Sequence, residues 1–523
     1  MLADGVYEKR WWTLGTLCIA LMVISVDNTI LNVALPSIVD ELHAQGSQLQ
    51  WIVDTYVLVF AGLLLTAGSL GDRYGRKRAL TLGLVIFAVC SALASMSTTP
   101  GMLMAWRGVM GIGGALIYPT TLSILTNTFL DARERARAIG IWAGVSGLGI
   151  VIGPLGGGLL LEHYSWGSVF LVNVPICAAA IVLGRFFIPE SRDPAESALD
   201  PIGALLSIVG LGGLLYGIIQ APDHGWSDPG VVSAIVGGLV VLAAFLAWEL
   251  HTDQPMLDLR VFANPRFSAA SVTITLMFFG MFGSTFLLTQ YFQFVLGYSP
   301  LKAGFMTAPI AVGLMIGAPR APRLVERHGS KRIMLVGLVI VLASLALYGC
   351  DTVMSVPLLG GLVRGIFGLG IGLTSAPATE SIMGSLPPGR AGVGSAVNDT
   401  TRQTGGALGV AVLGSVMAAR YHSLIGSAAA VPPAAQAAVR DSIGKALEAA
   451  KALPAEQSAA VARVAQHAAL AGMRLAYVIA VAFVVAAMVV CWRYLPAQAA
   501  EAPEPPTSAD DRKVAGAIAV GDV

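Results

Sequence analysis

Apolar runs of about twenty residues, each closed off by charge or by proline and glycine, follow one another from residue 12 to residue 495. A helix needs roughly 20 apolar residues to cross a bilayer core. It also closes its backbone hydrogen bonds within itself, as a lipid-facing segment must. The pattern predicts an all-α integral membrane protein whose partner is the lipid bilayer. Predicted spans fall at 12–35, 51–70, 79–98, 103–126, 137–160, 167–188, 201–220, 230–250, 268–294, 302–319, 332–349, 356–380, 392–418 and 472–494. Only 12% of the chain is charged, against roughly 25% in soluble domains, so the apolar surplus faces lipid. No cleavable signal peptide is evident, because the first run is long enough to span and holds Asp27. The five cysteines lie in apolar stretches without metal-ligand spacing, which predicts buried small hydrophobes and no metal site.

Lys and Arg placement in short loops sets orientation. Loops after even-numbered runs hold Arg73, Arg76, Lys77, Arg78, Arg133, Arg135, Arg137, Arg192, Arg260, Arg266, Arg320, Arg323, Arg327, Lys331, Arg332 and Arg390, whereas short loops after odd-numbered runs hold Lys302 alone. The even loops and both termini are therefore expected in the cytoplasm, in an inner (plasma) membrane. Residues 420–470, Ala-rich and expected outside, predict a helical external hairpin. The Pro/Ala/Glu/Asp-rich tail 496–523 predicts disorder.

Two motifs recur. "SLGDRYGRKR" at 69–78 aligns with "RLVERHGSKR" at 323–332, an offset of 254, and "RGVMGIGG" at 107–114 aligns with "RGIFGLGI" at 364–371, an offset of 257. Similar offsets from unrelated motifs indicate an internal repeat. Six helices need only about 190 residues, so a helix pair at 201–250 has been inserted. The expected plan is a six-helix bundle at 11–188, the pair at 201–250, and a second six-helix bundle at 268–495. Parallel repeats of this kind are a transporter plan, with the substrate site between the halves near the midplane.

Ionisable groups inside a span cost roughly 2.5–3.5 kcal/mol and mark pathways or relays by default. Asp27 sits mid-run in "VISVDNTILNVALP", with Asn28 and Asn32 four apart on the adjoining face. A carboxyl there can load and release a proton, or it can be a permanently paired structural acid. Arg107 does not deprotonate and can serve as the counter-charge or snorkel outward. Asp54 lies one turn into the second run and, with Asn28 and Asn32, is a candidate for substrate binding, or is simply wet at the outer surface. Asp399 and Arg402, three apart, can pair, and Glu380 suits an inner gate or simply touches water.

Gly149, Gly153 and Gly157 recur every fourth residue beside Pro154, lining one face of a run that should pack closely and bend. In "GSLGDRYGRKR", Gly71 and Gly75 permit a sharp reversal. Asp72, beside Arg73 and Arg76, can latch and release a gate through charge contacts.

These stretches resemble a known family. "GSLGDRYGRKR", "LMAWRGVMGIGGA" and "GIVIGPLGGG" are similar to motifs A, B and C of the major facilitator superfamily, and "VDNTILNVALP" resembles the first-helix signature of its fourteen-helix drug:proton antiporters, the EmrB/QacA type. "SWGSVFLVNVP", "QYFQFVLGYSPLKAGF" and "TTRQTGGALGVAVLGS" look like the same family. The resemblance implies the major facilitator fold with 6+2+6 helices and proton-driven export of lipophilic, often cationic compounds. It places Asp27 and Arg107 in the proton-coupling region, and Asp54 resembles an acid of members that handle organic cations. Two departures stand out. Met110 replaces the usual glutamine of motif B, and the run at 302–319 lacks an acid.

Other classes fit less well. All seven histidines lie outside the spans, and no nucleophile–base pair is apparent, which argues against a membrane enzyme. No G-x-x-x-x-G-K-[ST] loop is present, so ATP is not expected as the energy source and a proton gradient stands in place of any cofactor. A net charge of +1 gives no reason to expect nucleic acid. A narrow exporter of one metabolite or antibiotic, and a transport-inactive receptor, stay open on the same fold.

Overall fold

The computed structural model describes residues 8–129, 131–192, 200–252, 255, 257, 259–350, 356–385, 391–425 and 436–496. The tail after 496, Arg390 and residues 426–435 of the expected hairpin lie outside this set. The first half comprises α1 (Arg10–Leu42), α2 (Gly46–Tyr74), α3 (Arg76–Ser95), α4 (Pro100–Thr128), α5 (Ala132–His163), and α6 (Ser168–Leu171) with α7 (Asn173–Phe187). The inserted pair is α8 (Pro201–His224) and α9 (Pro229–His251). The second half runs through α10 (Pro265–Gln290), α11 (Pro300–Gly317), α12 (Ala321–His328), α13 (Ser330–Tyr348), α14 (Pro357–Met383), α15 (Ala391–Ile425), α16 (Gln436–Asp441), α17 (Ile443–Lys451) and α18 (Ala455–Tyr494). Thirteen described helical segments have the length and apolarity to cross a membrane, and the 32-residue α5 sits between them in the order.

Helix starts are written locally. Thr99, Asp200, Asp228, Asn264 and Ser299 each accept a hydrogen bond from a first-turn N–H, and each precedes a proline at the first helical position. The cap satisfies an orphan donor, and proline lacks the N–H that would be orphaned there.

The repeat is visible at glycine. Gly75 breaks α2 from α3 with φ +114°, and Gly329, 254 residues on, breaks α12 from α13 with φ +81°. Both adopt a conformation that side-chain-bearing residues avoid. Gly71 differs from expectation: it remains inside α2 and packs against the Thr120 side chain of α4, so closeness rather than reversal is its use.

The two halves meet at their outer ends. The Gly158 backbone lies against Pro300 and Leu301, and Gly304 lies against Pro154. Gln293 donates to the Val33 carbonyl, and Ser299 donates to Glu162 at 2.8 Å. Gln50 of α2 packs on Gly414 of α15. These contacts all involve the helix ends expected outside. These contacts close the outer side, on which the basic loops do not lie.

The 420–470 segment differs from a separate hairpin. Its second limb is the first part of α18, a 40-residue helix that continues into the last span. Its short helices reach across the outer mouth, where Lys451 pairs with Asp40 at 3.2 Å, Glu448 meets His43 at 3.0 Å, and Gly444 packs on Val39. The inserted pair packs on itself through Gly210, Gly213, Gly217 and Gly238 and leaves Val236, Leu239 and Val240 exposed, as a lipid-facing surface requires. Among the cysteines, Cys350 at the outer end of α13 is exposed, contrary to expectation, while the other four are buried.

Candidate functional site

Asp27, at the middle of α1, and Arg107, two turns into α4, meet inside the first half. Arg107 Nη1 donates to Asp27 Oδ2 at 2.6 Å, and each side chain is 1% exposed. Arg107 Nε donates to the Ile52 carbonyl of α2 at 3.1 Å, and the guanidinium lies 4.4 Å above the Tyr56 ring. Snorkelling is therefore not its role. The other carboxylate oxygen, Oδ1, accepts from Asn173 Nδ2 at 3.0 Å. Burial of two charges is costly unless they pair and complete their hydrogen bonds, and this arrangement does both.

Asn173 was not singled out from sequence, although it lies in the quoted "SWGSVFLVNVP". It opens α7 at the break after Leu171, where the interrupted helix lets its side chain reach α1. A polar residue within an apolar run was the available signal. Asn173 also donates to Ser91 Oγ at 3.3 Å, and Ser91 donates to the Met110 thioether at 3.9 Å. Met110 thus touches the cluster only through its thioether, and the amide that hydrogen-bonds Asp27 comes from α7.

Asp54 is buried at 0% exposure, and neither carboxylate oxygen has a hydrogen-bond partner. It is not wet at the outer surface. One turn after Gln50, it shares the α2 face that Gln50 turns to α15. An ionised carboxyl left bare there is costly. Asn28 and Asn32 are half-buried on α1; Asn32 donates to the Asn28 carbonyl, and no hydrogen bond ties either to Asp27.

In the second half, Asp399 and Arg402 do not form the direct pair that their spacing allows. Arg402 instead donates to Thr379 Oγ1 at 2.7 Å and lies 5.2 Å from the Phe278 ring centroid. Both charges remain within electrostatic reach of Tyr118 on α4, so they face the first half. Glu380 is exposed near the inner end of α14, as a water-contacting acid would be.

The glycines of α5 face α1 and not the opposite half. A Cβ at Gly149 would strike Ser25, one at Gly153 would strike Thr29, and one at Gly157 would lie 2.6 Å from Ile30. Thr29 also donates to the Gly149 carbonyl at 3.0 Å. The stripe therefore presses on the α1 segment that carries Asp27, while Pro154 and Gly158 supply the contact with α11. In the basic loop, Arg76 Nε donates to Asp72 at 2.6 Å, and Arg73 lies beside the Tyr74 ring. The loop docks on its own half: Arg76 N donates to the Ser191 carbonyl and Lys77 N to Glu190.

A family model, the Major Facilitator Superfamily, matches residues 17–410. The chain is 36% identical over 484 residues to the multidrug efflux pump LfrA of Mycolicibacterium smegmatis, covering 92% of this chain and 95% of that protein. It is 33% identical to the tetracenomycin C resistance and export protein of Streptomyces glaucescens, covering 93% and 92%. It is 32% identical to the methyl viologen resistance protein SmvA of Salmonella typhimurium, covering 88% and 93%. In fold it is similar to a bacterial homolog of the human lysosomal transporter Spinster, solved inward-facing and unoccupied. The TM-score is 0.66 at 18% identity, with 94% and 99% of the two chains covered. With its repeated halves, inserted pair and long shared identity to efflux pumps, the chain belongs to the major facilitator superfamily.

Proposed function

We propose that this protein is a drug efflux transporter of the membrane that drives export of lipophilic, often cationic compounds with inward proton flow. The observation that carries the coupling is the sealed Asp27–Arg107–Asn173 cluster. Protonation of Asp27 would remove the charge that holds Arg107, and a guanidinium left without its counter-ion must find a new partner. That repacking reaches α5 directly, because the Gly149–Gly157 stripe lies on the α1 turns around Asp27. α5 in turn carries Gly158 and Pro154 to the outer contact with α11. A proton event at one carboxyl is thereby linked to the closure between halves.

This arrangement, closed at its outer side, is the inward-open member of an alternating cycle. Asp54, bare and on the face turned to α15, is the group placed to meet a cationic substrate from the open side, and Asp399 and Arg402 face the same region. The relatives' names, multidrug efflux and resistance to methyl viologen, support cationic and lipophilic cargo. Positive residues in the loops support cytoplasmic termini. Ethidium efflux from loaded cells, with and without a protonophore, tests the reading. Efflux should stop when the gradient collapses; efflux that persists unchanged would refute proton coupling. Failure to move any dye while the gradient stands would favour a narrow exporter.

A further inference from the structure

His422 stands in the last turn of α15, at the end expected outside. Its Nδ1 lies 3.1 Å from the Pro222 carbonyl oxygen of α8, and its Nε2 lies 3.0 Å from the Asp441 carbonyl oxygen of α16. Pro222 is in the last turn of α8 and Asp441 closes α16, and the last four carbonyls of a helix have no partner within it. One imidazole therefore stands between two helix-end oxygens, one from the inserted pair and one from the segment that crosses the outer mouth. That segment continues through α17 to the contacts of Gly444 with Val39, Glu448 with His43 and Lys451 with Asp40.

A carbonyl oxygen only accepts, so the two forms of the ring meet these partners unequally. Neutral imidazole carries one N–H and one lone pair, whereas imidazolium donates from both nitrogens. The neutral ring bonds one carbonyl and turns a lone pair on the other. The cation bonds both, and a positive charge is favoured at the C-terminal end of a helix.

The charged and titratable groups around the ring leave this choice to the two carbonyls. Asp223 of α8 and Asp441 line the same cavity as His422, and Asp441 Oδ2 is paired with Lys445 Nζ at 3.2 Å. The Tyr421 ring centroid is 6.0 Å away, and its hydroxyl donates to the Val439 carbonyl. His224 turns back to the Gln220 carbonyl of its own helix, and Arg420 and Arg440 are exposed. α2 and α10 bring no titratable side chain to this cavity. Among the described residues, the ring's hydrogen-bond partners are the two carbonyls alone.

We propose that His422 is a proton-operated brace of the outer mouth. As imidazolium it ties α15 both to α8 and to the start of the crossing segment; on losing its proton it gives up one of the two bonds. The protonated form makes the extra bond, so the brace is complete at acid pH. It loosens as pH rises through the range in which histidine changes charge, about pH 5 to 8. The outer mouth is the side from which protons enter in the proposed cycle, so the crossing segment is held most firmly where protons are plentiful. The brace itself requires neither Asp27 nor any cargo, and its test needs no transport.

Limited trypsin digestion of the purified full-length protein, followed by mass spectrometry, reads the opening of the crossing segment as the rate of cleavage after Lys445. Rates are compared as ratios to the unaltered protein at the same pH, which cancels the pH dependence of trypsin and of contacts common to all samples, His43 with Glu448 included. His422→Gln should be cut about tenfold faster than the unaltered protein at about pH 6, the factor that one hydrogen bond from a charged donor supplies. At about pH 8 the ratio should shrink to about threefold or less. His422→Arg keeps its charge and donors at both pH values, so its ratio should instead fall below its acid value as pH rises. That trend decides the matter should His422→Gln fail to fold. A ratio that stays the same at both pH values, in either variant, overturns the proposal, because a neutral ring with one bond would then account for the contacts at all pH.

Discussion

Asp27→Asn separates charge from shape at the coupling site. The amide oxygen can still accept from Arg107, whose Nη1 stands 2.6 Å from the carboxylate in a cluster where both side chains are 1% exposed. What disappears is the negative charge and the capacity to take up a proton. Removing one partner of a buried ion pair destabilises by roughly 3–5 kcal/mol, chiefly through the charge left behind. The retained acceptor places this change near the lower end, at about 3 kcal/mol. Two assays on reconstituted protein divide the consequences. Export driven by an imposed pH gradient should fall to background, because no proton can load at position 27. Exchange of labelled for unlabelled ethidium without a gradient should continue, because it needs only the rocking of the halves around substrate. Adding Arg107→Met to Asp27→Asn should recover much of the lost thermal stability, by removing the orphaned charge, and none of the gradient-driven transport. Wild-type gradient-driven export by Asp27→Asn would refute the reasoning and place coupling at another acid.

Other outcomes follow from the same geometry. Asn173→Leu strips the amide from Asp27 Oδ1 and Ser91; with a cost of about 1–3 kcal/mol for a buried acceptor left unmade, gradient-driven efflux should drop roughly tenfold or more at unchanged membrane insertion. Gly153→Val would drive a side chain into Thr29 and towards the Ile30 backbone; overpacking of about 1–3 kcal/mol between α1 and α5 should abolish efflux, whereas Gly156→Val, where an added Cβ meets nothing within 4 Å, should leave it near normal. Gly158→Val would drive a side chain into the Pro300 and Leu301 backbone and hold the outer contact apart, so efflux should be abolished while surface expression stays level; unimpaired efflux would contradict an outer gate at α5–α11. Asp72→Asn breaks the 2.6 Å pair with Arg76 and should slow efflux while surface expression stays level, which a quantitative blot alongside the dye assay would show.

How much of this was legible beforehand follows from the kind of signal each feature leaves. Helix number and the apolar runs are local properties, set by roughly twenty residues at a time, so most spans were readable to within several residues, whereas the last helix begins at Ala455 and not at the expected 472, because its polar Ala-rich first part gives no apolar signal. The duplicated loop and the repeated "RG" segment left two matching offsets, which gave away the two halves and the inserted pair. Asp27 and Arg107 were legible because a charge in a lipid-crossing run is conspicuous by its cost. Asn173 was not, because an amide in an apolar run costs less, and its importance depends on a helix break that lets it reach Asp27. The Gly149–Gly157 stripe announced close packing but not its partner: one face of α5 can press on α1 or on α11, and only the packed bundle selects α1.

Sequence alone therefore determined that the chain crosses a membrane many times, is built from two related halves, and carries an acid and an arginine in its first half, since each follows from burial cost or repetition along the chain. Tertiary structure decided which charges meet. Asp399 and Arg402, three residues apart, are linked only through Thr379 and Asn398, whereas Asp27 and Arg107, eighty residues apart, make one of the shortest ion pairs among the described residues. The reason is physical: an ion pair is fixed by the packing of helices that are distant along the chain, and periodicity within one helix says nothing about what stands across from it.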